Sequence, residues 1–465
     1  MIFVGLLLLI IMGGIAYYVL IVSAPEPSES FEPGDAGRPT KLVSSIVLFQ
    51  HGARAPSIMN DSIAKVFPNG AGELTEAGIE DTFKLGRFLG ERYVKSGFLR
   101  SPPLPSQFYF RSRSNNRCLM SGALVGSGMF APNDPEFIAV PIYGQEKNDR
   151  ILTPLQHCEV EKKRFSDKCG KTPPEHKNAG IEDTFKLGRF LGERYVKSGF
   201  LRSPPLPSQF YFRSRSNNRC LMSGALVGSG MFAPDDPEFI AVPIYGQEKN
   251  DRILTHLQHC EVEKKRFSDK CGKTPPEHKN WPEYEGFVFE CIGLNKITKL
   301  FKNGADFSEV ESLIHQTISF IVGANDYHDK TILQLKQGPI MKHIFGLLRK
   351  RWEEWDSSKK IAKRKFIAYS TEDWLLMALM EALGCAKETL SGTIPSYNAL
   401  LVIELSDRDG PVVQVFYKDK GMDSLKDITR AVRGCDASPC PLSKFEKCCD
   451  EYTTEDPKTV CGTQS

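Results

Sequence analysis

The chain has 465 residues, with 60 Lys and Arg against 57 Asp and Glu and a formal net charge of +3. So even a balance gives no basic field for a nucleic acid and argues against such a partner. Thirteen cysteines suit an oxidising compartment and hence an exported protein.

Residues 1–25 carry no charged side chain, and residues 2–22 are almost wholly apolar. That run is long enough to cross a bilayer and longer than the apolar core of a cleaved signal peptide. Lys and Arg are absent until Arg38, so the positive-inside rule has little to act on. We read residues 1–24 as a signal anchor that leaves the C-terminal bulk extracellular or lumenal on a single-pass membrane protein; cleavage would make the protein secreted. A buried core helix fits poorly, because the polar, Pro-containing linker 25–40 follows at once. Asn60-Asp61-Ser62 is a glycosylation acceptor triplet.

Next comes Ser45-Ile46-Val47-Leu48-Phe49, a β-branched apolar run that predicts a buried strand ending at the polar residues before Gly52. Ligand sites in open α/β sheets lie just past the carboxyl ends of strands. His51 stands there, with Arg54 three residues on. A helix with an apolar stripe is predicted from Ile79 to Tyr93, on Ile79, Phe83, Phe88 and Leu89. Gln107-Phe108-Tyr109-Phe110 is a short strand, and a helix of small and apolar residues follows from Leu119 to Phe130.

A 102-residue segment then repeats. Residues 77–178 recur as 179–280 with two differences, Asn133 against Asp235 and Pro154 against His256. Solenoid repeats are shorter and diverge between copies, so this is either a recent tandem duplication or an error in assembling the sequence. One sheet position cannot hold both copies, and either could be the inserted one. Removing one leaves 465 − 102 = 363 residues. Within the repeat, Lys162-Lys163-Arg164 is a solvated run, and Gly170-Lys171-Thr172 is a loop, since a nucleotide-binding loop would need Gly where Phe165 stands. Lys359-Lys360 is a second solvated run.

The stretch 281–364 is mostly helical in pattern, with Leu294, Ile297, Leu300 and Phe301 and later Ile344, Leu347 and Leu348. We expect a smaller helical cap over the strand ends. Lys365-Phe366-Ile367-Ala368-Tyr369 is a strand, running through Glu372 and Asp373 into a helix from Trp374 to Leu383 that Gly384 closes. Three strand-to-helix units thus bring His51 and Arg54, Arg117 or its duplicate Arg219, and Glu372 and Asp373 to equivalent places. An α/β fold with parallel strands and flanking helices is the economical solution.

Splitting a phosphate monoester needs a nucleophile, cations round the phosphoryl oxygens and an acid for the departing alkoxide. His51 would be the nucleophile, Arg54 with Arg117 or Arg219 the bidentate clamps, and Asp373 the acid. The chemistry calls for no metal and no cofactor.

The stretch Gln50-His51-Gly52-Ala53-Arg54-Ala55-Pro56 resembles the Arg-His-Gly-x-Arg-x-Pro signature of the histidine acid phosphatases, the prostatic and lysosomal type. Arg111-Ser112-Arg113-Ser114-Asn115-Asn116-Arg117 is similar to that family's second phosphate-binding segment, and Tyr369-Ser370-Thr371-Glu372-Asp373 to its late His-Asp motif. The likeness runs from about residue 41 through 434 and on into the Cys-rich tail 435–465, broken by the duplication. It implies a histidine-phosphatase core and acid phosphatase activity through a phosphohistidine, with the roles just given. The set is altered at two positions. Gln50 replaces an Arg and Glu372 a His, which shifts the pocket by about −3 in charge if that His is protonated. Loss of one oxyanion donor alone slows such reactions roughly 10²–10³-fold. The resemblance therefore implies turnover below that of an intact member, or else a non-catalytic ectodomain that binds a ligand or protein partner. It also implies pairing of Cys435 with Cys440, and of Cys461 with Cys260 or its duplicate Cys158.

Overall fold

The computed structural model describes residues 40–57, 61–101, 103–104, 106–113, 115–130, 142–143, 180–201, 212–213, 218–232, 244–245, 260–276, 287–288, 291, 307–361, 363–420 and 422–461. The predicted anchor, the linker up to residue 39, Asn60, Cys158, the 162–172 stretch and Leu294, Ile297, Leu300 and Phe301 lie outside them. Among the described residues no helix is long and apolar enough to cross a membrane.

The apolar run past residue 40 forms β1 (Lys41–Gln50), buried along nearly its whole length. A strand buried on both faces belongs in the middle of a sheet. In chain order follow α1 (Glu76–Gly90), β2 (Phe108–Ser112), α2 (Asn116–Phe130), β3 (Ile142–Tyr143), α3 (Gly180–Tyr195), β4 (Phe212–Arg213), α4 (Asn218–Phe232), β5 (Ile244–Tyr245), α5 (Glu261–Cys271), α6 (Phe307–Val322), α7 (Lys330–Ser358), β6 (Phe366–Thr371), α8 (Asp373–Leu383), β7 (Leu400–Asp407), β8 (Pro411–Lys418), β9 (Lys426–Asp427) and β10 (Cys440–Pro441). The main sheet has the order β10-β8-β7-β1-β6-β2-β3, with β9 beside β8. β1, β6, β2 and β3 are parallel, as expected from the strand-to-helix units. β7, β8 and β10 add an antiparallel half that was not expected from the sequence.

Period-two alternation splits the core between the two faces of the sheet. Ile46, Leu48, Ile367 and Tyr369 face α7 and α8, packing with Ile344, Leu348, Leu375 and Leu379. Val47, Phe49, Phe108 and Phe110 face α1 and α2, packing with Leu85, Leu89, Val125 and Met129. The expected cap is corrected here for α7. Its Ile340, Ile344 and Leu348 lie in the sheet-face core rather than over the strand ends, because its apolar positions match the even-numbered face of β1. A smaller cluster joins Phe267 of α5 to Phe320 of α6, sealed by the Cys260–Cys461 disulfide. Cys435 pairs with Cys440 as the resemblance implied, and Cys271–Cys291 and Cys448–Cys449 are two further bridges.

The duplication is shared out. Copy one supplies α1, β2, α2 and β3 to the main sheet, while β4 and β5 of copy two pair with each other in a separate two-stranded sheet. The choice follows from the flanking residues. Copy one is preceded by Leu74 and Thr75; the Thr75 hydroxyl accepts from the Gly78 amide as the α1 N-cap, and Leu74 is buried beside Arg54 in an isolated β-bridge. Copy two has His176 and Lys177 at those places. A lost cap costs about 1 kcal/mol and a lost buried Leu about 2 kcal/mol, enough to decide between identical sequences.

Copy two nonetheless keeps the helix pairing. A Cβ on Gly86 would meet the Val125 carbonyl oxygen at 2.4 Å, and one on Gly188 would meet that of Val227 at the same 2.4 Å. What α3 lacks is the cover of the main sheet along its length, since of that sheet only Tyr109 of β2 joins its cluster among the described residues. Leu85 is 5% exposed and Tyr93 fully buried, whereas Leu187 is 51% and Tyr195 36% exposed. Past the described end of that module the chain rejoins the body at α5, so the folded domain combines the first part of one copy with the last part of the other.

Candidate active site

The parallel register assembles the site. Gln50 lies opposite Thr371 and Ser112 opposite Ser370, so His51, Glu372 and Arg113 emerge side by side at the ends of β1, β6 and β2. Backbone bonds continue the ladder past the strands: the His51 amide donates to the Thr371 carbonyl and the Arg113 amide to the Ser370 carbonyl, both at 3.1 Å. Asp373 and Trp374 then open α8.

Gly52 holds the turn against α1 and α2. Its amide donates to Ser121 Oγ at 3.0 Å, and a Cβ at this position would lie 2.3 Å from Thr82 Oγ1 and 2.5 Å from the Gly78 carbonyl oxygen. No other residue allows the loop to sit so close.

His51 is buried, with its ring 5.8 Å from that of Tyr397. Nδ1 is 2.8 Å from the Gly52 carbonyl oxygen, which accepts only from the Nδ1–H tautomer and so leaves the Nε2 lone pair free. Burial pushes its pKa from 6.5 down to about 3; the Gly52 carbonyl opposes this, and the charges of Arg117, Arg54 and Arg113 add to it. The imidazole is neutral in ordinary acid, as a nucleophile must be.

Arg54 donates through Nη1 to the Ala55 carbonyl and to Ser57 Oγ. The buried Nε atoms of Arg54 and of Arg117 have no hydrogen-bond partner among the described residues. Buried guanidinium nitrogens left in that state ask for an acceptor. Asp373 is partly buried and accepts from the Trp374 amide at 2.7 Å. Burial raises its carboxyl above the usual 3.8, against the lowering influence of that bond and of Arg54, Arg117 and Arg113. A carboxyl raised in this way is suited to act as an acid.

The two altered positions have definite partners. The Gln50 amide nitrogen donates to the carbonyls of Ser396 (2.5 Å) and Pro395 (2.9 Å), turning away from the arginines. Glu372 turns toward them. Its Oε1 is paired with Arg117 Nη2 and accepts from Asn115 Nδ2 at 3.0 Å; its Oε2 is paired with Arg113 and accepts from Trp374 Nε1 at 2.7 Å. Arg113 also stacks its guanidinium 5.5 Å from the Trp374 ring.

Of the sequence-derived set, the structure brings together His51, Arg54, Arg117, Asp373 and Glu372. Arg219 is not among them: it lies on α4 beside the separate β4–β5 sheet, and its side chain is outside the described residues. Arg113 had no role assigned from sequence. The signal was present in the spacing, because strand β2 places Arg113 just past its end.

Known proteins similar to this chain are named as acid phosphatases. The model of the histidine phosphatase superfamily, branch 2, matches residues 56–172 and again 146–259, reading both copies of the repeat. A Caenorhabditis elegans protein named "Putative acid phosphatase 1" is 24% identical over 437 residues, 92% of this chain and 84% of the relative. Prostatic acid phosphatase of Mus musculus is 21% identical over 92% of its own length and 93% of this chain. Lysophosphatidic acid phosphatase type 6 of the same species is 23% identical over 71% of this chain and 81% of the relative. The chain is thus similar to branch 2 of the histidine phosphatase superfamily over residues 56–259, and to acid phosphatases over 92–93% of its length.

Proposed function

We propose that the site hydrolyses phosphate monoesters in acid through a phosphohistidine at His51. The observation that carries this reading is the pair of unpartnered Nε atoms on Arg54 and Arg117 beside a buried, neutral imidazole. His51 Nε2 forms a bond to phosphorus as the ester P–O bond breaks, and Asp373 in its acid form gives its proton to the departing alkoxide. Water then attacks phosphorus, the P–N bond breaks, Asp373 takes a proton from the water and inorganic phosphate leaves. Arg54 and Arg117 hold the phosphoryl oxygens throughout. With p-nitrophenyl phosphate and an alkaline quench, an acid-labile phosphoprotein is expected from the parent protein and none from His51→Ala. Labelling that survives this substitution would overturn the assignment.

A second reading is a phosphatase-like ectodomain that binds without turnover, and the carboxylate of Glu372 among the arginines favours it. Restoring Gln50→Arg with Glu372→His separates the two. A large gain in turnover supports the enzyme; no gain supports the binding protein. We further propose that residues 1–24 anchor the domain in a membrane with its bulk extracellular or lumenal, a reading supported by their composition and by the disulfides of the body. Protection of the domain from added protease in sealed microsomes tests it.

A further inference from the structure

The best-partnered group at the mouth of the site is a carboxylate. Glu372 is buried, and each of its oxygens is engaged by one guanidinium and one neutral donor: Arg117 and Asn115 on one side, Arg113 and Trp374 on the other. A planar anion held between two arginines, with both oxygens filled, takes the same donors as two oxygens of a phosphoryl group. It also uses up charge. The groups near the cluster are Arg54, Arg113 and Arg117 on the positive side and Glu372, Asp373 and Glu73 on the other. Burial pushes the carboxyls of Asp373 and Glu73 up, and among the described residues Glu372 is the carboxylate ion-paired with Arg113 and Arg117. Gln50 adds nothing, its amide being turned to the Pro395 and Ser396 carbonyls.

We infer that Glu372 is a built-in competitor for the phosphoryl seat and sets its charge preference, favouring singly over doubly charged phosphoryl groups. This rests on the phosphatase reading of the site and names the ionic form of substrate that the site accepts. A doubly charged group would gain from two arginines already satisfied only by displacing Glu372. A singly charged one needs only Arg54 and the unpartnered Nε of Arg117, and it meets less repulsion from the carboxylate that stays in place.

Inorganic phosphate and sulfate test this at about pH 5, where they are near-isosteric anions of one and two charges. Calorimetric titration of the full chain should give tighter binding of phosphate than of sulfate. In Glu372→Gln, which keeps the shape and can still accept from Asn115 or Trp374, sulfate affinity should rise at least about tenfold and phosphate affinity by less. Trp374→Phe removes one donor to Glu372 and leaves its charge; it should give a smaller gain for sulfate, and it carries the test if the Gln variant does not fold. A folded Gln variant that binds sulfate no better than the parent overturns the inference, as does a Trp374→Phe variant with no gain when the Gln variant is unfolded. The two readings fail separately, since phosphoprotein trapping reports on His51 and the sulfate-to-phosphate ratio on Glu372.

Discussion

Removing residues 144–245 should leave the folded domain intact and make it more stable. The cut joins Tyr143, the last residue of β3, to Gly246, and the segment Gly246-Gln247-Glu248-Lys249-Asn250 is identical to Gly144-Gln145-Glu146-Lys147-Asn148 of the parent. It deletes α3, β4, α4 and β5, none of which takes part in the main sheet. Among the described residues, the eight bridged cysteines all lie outside the cut. The connection from Tyr143 to Cys260, residues 144–259, shortens from 116 residues to 116 − 102 = 14. Treated as flexible chain, closing the shorter loop is easier by about (3/2)RT ln(116/14), or about 2 kcal/mol. At roughly 2.1 cal/mol/K per residue the melting entropy of the shortened chain is about 0.8 kcal/mol/K, so Tm should rise by about 2–3 °C. The cut also removes the exposed Leu187, Phe190 and Phe200, so dye binding to apolar surface should fall. Differential scanning calorimetry and dye fluorescence on the two proteins measure both effects. A shortened protein that does not fold, or that melts several degrees below the parent, would show that copy two supports the sheet and would refute this account of the duplication.

Gly52→Ala should destabilise the domain by about 1–3 kcal/mol and abolish phosphate binding, because the new methyl meets Thr82 Oγ1 and the Gly78 carbonyl, which fix the His51 loop; urea denaturation with calorimetric titration checks it. Glu404→Gln should cost about 2 kcal/mol without touching the site, since Glu404 accepts two bonds from Arg92 (2.8 and 2.7 Å) and one from the buried Tyr93 hydroxyl (2.6 Å), and chemical denaturation gives the value. The neutral burial of His51 makes stability depend on pH: its folded pKa of about 3 lies below the ordinary 6.5, so the unfolded chain binds more protons between them and stability falls as pH drops through that window. His51→Gln should flatten the fall in Tm from about pH 6.5 to pH 3. Asp373 works in the opposite sense: its raised carboxyl favours the fold in acid and gives up that contribution as pH rises through its folded value, so Asp373→Asn should steepen the fall of Tm in acid.

The central parallel strands and the helices that follow them were legible because each carries a local signal. The apolar run of β1 stops at Gly52, and α8 follows β6 through two acidic residues and ends at Gly384. The β7–β8 hairpin is less legible, although Asp409-Gly410 marks its turn, with both residues at positive φ. The continuous apolar run of β7 and the weak alternation of β8 become distinctive only once the two are paired. The cap expectation failed at α7 for a related reason. A helical pattern shows which residues are apolar, and only the tertiary fold shows that Ile344 and Leu348 meet Ile46 and Leu48 on the sheet.

The histidine, two arginines and aspartate of the candidate site were readable as residues, but the meaning of Glu372 was not. In sequence it is a charge change next to Asp373. The register of β6 between β1 and β2 makes it the shared partner of Arg113 and Arg117, and that register depends on side chains more than 250 positions apart in the chain. The choice between the two copies obeys the same logic at closer range. Identical sequences cannot choose between themselves, so the choice passes to their flanks, and here a buried leucine and a capping threonine settle which helix reaches the His51 loop. Exchange of those two residues with His176 and Lys177 would move the preference to copy two, bringing Arg219 to the place Arg117 holds. The duplication is therefore a competition for one seat, decided by about 3 kcal/mol of contacts that lie outside the repeat.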